Sequence, residues 1–403
     1  MCKYLLSFFQ FLFLLNFLIT NGYAETKEII SEGIYNMGDM ETPFFAERMA
    51  LLNAKRNALE EAGTYIESFT KIENFKLTKD EIKILSSGII KLEVLDKKRL
   101  VSNNGIQFWV KIKAVIETDE LTDMINIIRA NEKTFLENYK KLLQDYSKVL
   151  KELDNLKKQM SKTTDKQEMK MIQNQINKNR NRLLATQYYD EGFWYFLRNE
   201  NFKAIDSLSK AINLDQNNST YYEFRSRIYM TLGQFDNAIK DLNKVLELQP
   251  NKSEYYAIRG VLYSIQHQRE KALSDFNIAI LLDPENIEAL VQRGIIYSEK
   301  KEYSNALSDF NKVIILNPNK ANAYSLRGTI YQKLGNYQQA LNDFNKAVEL
   351  NPNELLVYDQ RGLLFLEIKR YNDALKDFLT ACQLGDSYGC KLLKNLNSKL
   401  NKK

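Results

Sequence analysis

Four of the five prolines, Pro250, Pro284, Pro318 and Pro352, stand 34 residues apart, and the thirteen residues that end at each of them are variants of one phrase. The phrase reads AIKDLNKVLELQP, ALSDFNIAILLDP, ALSDFNKVIILNP and ALNDFNKAVELNP in turn. A strict period of this length means one supersecondary unit copied and stacked, because a lone pair of amphipathic helices cannot bury its apolar face. The expected fold is therefore mainly α, with half the chain a solenoid of helix-turn-helix units. Placing each proline two residues before the end of a unit gives six, at 185–218, 219–252, 253–286, 287–320, 321–354 and 355–388. The first and last lack the proline, as terminal repeats often do.

Position by position, the units state how two helices touch. The eighth place is Gly192, Ser226, Gly260, Gly294, Gly328 and Gly362. Glycine inside a helix costs about 1 kcal/mol, so its recurrence argues for an approach too close for a side chain. The twentieth place is alanine throughout, from Ala204 to Ala374. Tyr195, Tyr229, Tyr263, Tyr297, Tyr331 and Phe365 fill the eleventh, and Leu208, Leu242, Phe276, Phe310, Phe344 and Phe378 the twenty-fourth. In five units the seventh place is arginine (Arg225, Arg259, Arg293, Arg327, Arg361) and the twenty-third aspartate (Asp241, Asp275, Asp309, Asp343, Asp377); the first unit has Glu191 and Ser207 instead. Joint loss of both partners points to a ladder of charge-assisted contacts, the alternative being independent solvated residues.

Over 185–388 this pattern resembles the tetratricopeptide repeat. The resemblance implies a superhelix whose concave groove is lined by the second, fifth, ninth, twelfth and thirteenth places of each first helix. Here those places include Tyr189, Phe193, Phe196, Leu197, Arg227, Met230, Val261, Val291, Ile295, Thr329, Gln332, Leu363 and Leu366. It further implies a scaffold that binds a segment of another protein, without catalysis or cofactor. The groove lacks the lysine and asparagine set with which chaperone-binding members clamp a terminal carboxylate. After the last unit, Leu392, Leu393, Leu396 and Leu400 share one face of an expected capping helix at 389–403.

Upstream, residues 119–184 are rich in Lys, Asn, Gln and Glu and free of Pro and Gly, which reads as long helix. Phe135, Tyr139, Leu142, Tyr146, Val149, Leu153, Leu156 and Met160 are spaced alternately by four and three, a heptad seam. It breaks at SKTTDKQE (161–168) and resumes with Met169, Ile172, Ile176 and Leu183. Either the segment folds back as a helical hairpin or 135–160 serves self-association as a coiled coil.

Residues 25–118 mix periods, as a small α+β domain would. Thr42, Pro43 and an apolar spacing through Leu59 predict a helix over 43–62 that Gly63 stops. GIQFWVKIKAVIE alternates as a half-buried strand, Ile90, Leu92 and Val94 begin another, and SNNG (102–105) has hairpin chemistry. The stretch from Ser31, above all AKRNALEEAGTYIES (54–68), resembles the small envelope domain of bacterial outer-membrane lipoproteins and flagellar ring assembly proteins. That resemblance implies a bacterial envelope location. Residues 1–24 agree, with Lys3, an apolar run to Ile19 and small residues ending at Ala24, the pattern of an export signal; an uncleaved anchor is the alternative. Export to the periplasm or outer membrane is the expectation.

Removal of such a signal takes Cys2 with it and leaves Cys382 and Cys390, a candidate disulfide across Gly385 or two unpaired packing residues. The single histidine, His267, falls in a turn of the third unit, so the sequence offers no nucleophile–histidine–acid set and no metal-ligand spacing. A net charge of +6 spread among 27% charged residues, without a basic cluster, gives no reason to expect nucleic acid. The expected partner is a protein, bound with neither metal nor cofactor.

Overall fold

The structure is a computed structural model that describes residues 26–38, 41–72, 82, 91–102, 105–117 and 132–400. The expected export signal at 1–24 and the residues Asn103 and Asn104 of the SNNG stretch lie outside the described residues. Two compact units divide the chain, Met1–Glu200 with Asn213–Asp215 and Asn201–Ile212 with Gln216–Lys403.

Unit one begins with strand β1 (Thr26–Met37), helix α1 (Pro43–Ile72) and strands β2 (Lys91–Ser102) and β3 (Gly105–Glu117), the three strands forming an antiparallel sheet in the order β1-β3-β2. Alternation fixes the register: Phe108, Val110, Ile112, Ala114 and Ile116 of β3 and Ile29, Ser31 and Gly33 of β1 face inward, with Gly33 opposite Val110. Helix α1 meets that face with Ala46, Ala50, Ala54, Ala58, Ala62 and Ile66, four apart and all fully buried. Methyl groups let the backbones nearly touch. A Cβ on Gly33 would lie 2.1 Å from both the Ala50 carbonyl and the Ala54 nitrogen. Ser31 Oγ donates to the Ala54 carbonyl at 3.0 Å, while Asn53 and Asn57 reach back to the carbonyls of Ile34 and Glu32 on edge strand β1. The helix does not stop at Gly63: the buried row runs on through Ile66, and the packing outweighs the roughly 1 kcal/mol that glycine costs there.

The heptad segment folds back on itself. Helices α2 (Glu132–Met160) and α3 (Lys166–Leu197) are joined by a short turn in which Asp165 caps α3, accepting from Gln167 and Glu168 nitrogens at 2.7 and 3.0 Å. Val149 and Leu153 pack with Ile172, Ile176, Leu183 and Leu184, and the same cluster takes in Phe45 and Met49 from the outer face of α1. The part of the seam from Tyr146 to Met160 is thus filled from within the chain, the hairpin of the two alternatives the sequence offered; the side chains of Phe135, Tyr139 and Leu142 lie outside the described residues. Helix α3 also runs unbroken through residue 184, because nothing between Asp165 and Glu191 breaks a helix. The expected boundary at 184/185 therefore falls inside one helix.

A buried carboxylate pins these parts together. Glu41 accepts from Tyr35 Oη and the Gly38 nitrogen, both at 3.0 Å, and lies 2.9 Å from Lys157 Nζ on α2 and 3.3 Å from Arg180 Nη2 on α3. Arg48 and Lys55 of α1 pair with Glu191 and Asp190 of α3 at 3.2 and 3.4 Å.

In unit two, α4 (Asn201–Leu214) precedes five complete pairs: α5 (Ser219–Thr231) with α6 (Phe235–Leu248), α7 (Ser253–Ile265) with α8 (Arg269–Leu282), α9 (Ile287–Glu299) with α10 (Tyr303–Leu316), α11 (Ala321–Lys333) with α12 (Tyr337–Leu350), and α13 (Leu355–Glu367) with α14 (Tyr371–Gln383). Helix α15 (Ser387–Leu400) follows. Cβ atoms on Gly260, Gly294, Gly328 and Gly362 would stand 2.6, 2.7, 3.0 and 2.5 Å from the Phe276, Phe310, Phe344 and Phe378 rings, so those rings occupy the space a side chain would need. Where leucine replaces the ring, at Leu242, the eighth place is Ser226. Each first helix ends at the fifteenth place with positive φ: Gly233, His267, Lys301, Gly335 and Lys369 lie between 59° and 76°. The next nitrogen then returns to the eleventh-place carbonyl, as from Gln268 to Tyr263 at 2.8 Å.

Gly335→Ala is expected to destabilise unit two by about 1 kcal/mol although its Cβ would touch nothing, since the left-handed conformation alone carries the cost. Denaturant unfolding followed by circular dichroism measures it. For Glu41, burial opposes ionisation, but the Gly38 N–H and Lys157 outweigh it and hold the carboxyl below its ordinary value. Its stabilisation is complete above the ordinary carboxylate range and is lost as pH falls through the lowered folded value. Both tryptophans, Trp109 and Trp194, lie in unit one, so their fluorescence follows this loss. Glu41→Gln should remove about 2 kcal/mol at neutral pH and flatten the acid dependence.

Candidate functional site

The first helices of unit two present the groove positions in different degrees. Arg227 and Leu363 are exposed, and Met230, Val261, Ile295, Thr329, Gln332 and Leu366 are half-buried, as are Phe196 and Leu197 in unit one. Tyr189, Phe193 and Val291 are only 4%, 6% and 4% exposed, which corrects their assignment to an open groove. The fifth place is an inter-repeat packing position: Ala257, Ser325 and Asp359 are buried with Val291, and Ser325 Oγ bonds Gln360 on the following first helix. Phe193 is buried edge-to-face against Trp194, with centroids 5.2 Å apart. The remaining apolar row is Val261, Ile295 and Leu363 at the ninth place, interrupted by Thr329.

Polar contacts between successive first helices flank that row. Tyr255 Oη donates to Glu223 Oε2 at 2.7 Å, and Glu223 also holds Arg227 at 3.5 Å. Gln332 Nε2 and Tyr337 Oη both donate to Glu367, at 2.9 and 2.7 Å. Thr329, Gln332, Lys333, Tyr337 and Glu367 border an open depression of about 570 Å³.

The seventh- and twenty-third-place residues meet in all five pairs. Each arginine donates from Nε and Nη2 to the two oxygens of its aspartate at 2.7 to 2.9 Å, as Arg259 does to Asp275. The planar five-donor fork of a guanidinium leaves Nη1 pointing away, and it reaches back to the preceding unit: Arg225 to Ser209, Arg259 to Asn243, Arg293 to Asn277, Arg327 to Asn311 and Arg361 to Asn345, at 2.6 to 2.8 Å. Two aromatic rings flank the cation at Arg225, Arg259, Arg327 and Arg361, with Tyr256 and Tyr263 centred 5.6 and 5.9 Å from Arg259, while Arg293 has Tyr297 at 5.7 Å. The bonds to Asp275, Asp309 and Asp343 hold Arg259, Arg293 and Arg327 above the ordinary guanidinium value, against the effect of burial. In the first unit Glu191 replaces arginine and turns to Arg48 of α1. The twenty-fifth-place asparagines were missed in the sequence. Their signal was there, since Asn243, Asn277, Asn311 and Asn345 recur at that place and give way to Leu379 in the last unit.

Cys382 and Cys390 form a disulfide, with Cα atoms 4.5 Å apart, linking α14 to α15. His267 is exposed in its turn, where its backbone supplies the left-handed residue. Among the described residues no group of three His, Cys, Asp or Glu is placed to hold a metal ion, and no helix is long and apolar enough to cross a membrane.

Arg293→Met should cost about 3 kcal/mol, because it strands the buried Asp309, while Asn277→Ala should cost about 1 kcal/mol. Urea unfolding read by circular dichroism tests both; changes below about 0.5 kcal/mol would mark the ladder as ordinary surface.

Family profiles for the tetratricopeptide repeat match residues 219–252, 287–320 and 321–354. No curated relative matches the chain. Similar solved structures include the protein MamA, 26% identical over 42% of this chain and 93% of its own, with a TM-score of 0.40. YrrB, described as a TPR protein with an unusual peptide-binding site, is 18% identical over 48% of this chain and 99% of its own, with a TM-score of 0.41. PilF of Pseudomonas aeruginosa is 17% identical over 54% of this chain and 99% of its own, with a TM-score of 0.46. With the profile matches at three of the five complete pairs, residues 219–388 form a tetratricopeptide-like helical solenoid.

Proposed function

We propose that the chain is an exported cell-envelope scaffold that holds a segment of a partner protein against the first helices of its repeats. The fold itself is that of a protein–protein interaction scaffold. The observation that carries the finer reading is the row Val261, Ile295 and Leu363, half-buried to exposed aliphatics at the ninth place of three of the last four units, interrupted by Thr329 and flanked by Glu223, Glu367 and Arg227. Such a row offers an extended or helical segment an apolar track with polar groups on either side to set its register. Nothing in this arrangement activates a bond, and the recurring chemistry of the ladder is consumed in internal contacts.

The export signal at 1–24 and the resemblance of 25–118 to envelope domains support the location. A structural part in an outer-membrane or flagellar-type assembly is the alternative; it gains least from the helical hairpin, which packs on α1 within unit one and so does not serve as an extended spacer.

The test is site-specific photocrosslinking in cells of the source, with the crosslinker at Ile295 or, on a second helix, at Lys312. Capture of one defined partner from Ile295 and none from Lys312 is expected, with Val261→Asp abolishing capture while circular dichroism stays unchanged. Equal capture from both positions would discard the groove. Recovery of the mature chain in the cytoplasmic fraction would discard the location.

A further inference from the structure

The start of α15 is a junction unlike the others in unit two. Its link is the three residues Leu384–Asp386, without the proline that precedes α7, α9, α11 and α13, and the Cys382–Cys390 disulfide spans it. Asp386 caps the helix, accepting from the Tyr388 and Gly389 nitrogens at 3.2 and 2.6 Å. Asp359 of α13 reaches the same point. It is 4% exposed, and neither of its carboxylate oxygens has a hydrogen-bond donor among the described residues. A Cβ on Gly389 would lie 2.9 Å from Asp359 Oδ1, 3.2 Å from Asp386 Oδ2 and 2.7 Å from Ala381 Cβ. Three helices therefore converge with two carboxyls facing one another across a glycine.

Two carboxyl groups so placed do not both ionise, and the stable arrangement has one proton between them, donated by one acid to the other's carboxylate. Asp386 is the natural acceptor, because backbone N–H groups already favour its charged form. The surrounding charges leave the pair to itself: Arg361 on α13 is taken up by Asp377 and Asn345, Ser325 of α11 meets the neutral Gln360, and Lys376 on α14 and Lys391 on α15 are exposed.

We propose that this junction is a proton-operated latch for α15: one proton shared by Asp359 and Asp386 seats the helix on α13 and α14, and its loss drives the two charges apart and lifts the helix while the disulfide keeps it tethered. Lifting uncovers the apolar end of the solenoid, where Phe378, Leu366 and Leu375 pack beneath Leu392, Leu393 and Leu396. Burial and then the neighbouring Asp386 push Asp359 up to about 7, while the bond from Asp359 and the capping nitrogens hold Asp386 below its ordinary value. A lifted helix returns Asp359 to an ordinary carboxyl. Opening is therefore least in acid, grows by up to about tenfold per pH unit as pH rises to about 7, and levels off above it.

Hydrogen exchange of the α15 amides in the full chain, corrected for intrinsic exchange at each pH from 5 to 8.5, tests the latch. Protection in the wild type should fall by up to about tenfold per pH unit to neutrality and then level. Asp359→Asn should remove the pH dependence. Asp386→Asn keeps the buried acid but deletes the like charge, so its transition should move down by at least about one pH unit, and this variant decides the matter if Asp359→Asn fails to fold. Cys382→Ser with Cys390→Ser should deepen the loss without moving its midpoint. Flat protection in the wild type, a step that survives Asp359→Asn, or a midpoint that follows the disulfide would each overturn the proposal.

Discussion

A phenylalanine ring laid against a bare stretch of helix backbone sets the geometry of unit two. Phe276, Phe310, Phe344 and Phe378 are fully buried, and each occupies the volume that a side chain on its partner glycine would claim. This fixes how close the two helices of a pair lie and hence the angle at which the next pair must be added. The alanines at the twentieth place, with no accessible surface, extend the same close contact. Because the contact is steric, it tolerates little variation. The one substitution within the complete pairs, leucine for phenylalanine at Leu242, is accompanied by serine for glycine at Ser226.

On this frame the arginine ladder adds a connection along the stack that apolar packing does not specify. Each guanidinium spends two nitrogens within its own pair and one on the pair before, so orientation within a repeat and orientation between repeats are set by the same group. Unit one solves a similar problem differently. Its alanine row brings α1 onto the sheet, and its cation pairs with Glu41, Glu191 and Asp190 fasten the opposite side of α1 to the helical hairpin. The two units also treat buried acids in opposite ways. Glu41 is ringed by cations and N–H groups that favour its charge, whereas Asp359 has another acid as its neighbour.

The periodic part of the fold was legible because identical interfaces write identical letters at fixed intervals, and the joint absence of arginine and aspartate from the first repeat revealed their pairing. What was not legible depended on contacts between distant, non-repeating segments. Gly63 looked like a stop because the local pattern cannot report that Ala62 and Ile66 are packed on a sheet formed largely some fifty residues later. Strand β1 passed unread, since Gly33 and Ser31 on its inner face are too small and polar to mark a strand. The heptad seam was visible, but its occupant was not: the same letters serve a second chain or a returning helix. Among the groove residues, family resemblance named positions along the first helices but could not say which of them neighbouring helices cover, as happens to Val291.

The ladder's ending governs how the array can change in length. Asn243, Asn277, Asn311 and Asn345 each supply an acceptor to the arginine that follows, while the corresponding residue of the final pair is Leu379, and the seventh residue of α15 is Leu393. A copied module inserted internally finds an acceptor behind it and offers one ahead, so duplication there leaves every guanidinium satisfied. One appended after α14 would place its arginine beside leucine. A repeat set directly behind α14 would thus lack a contact to its predecessor that each internal arginine makes.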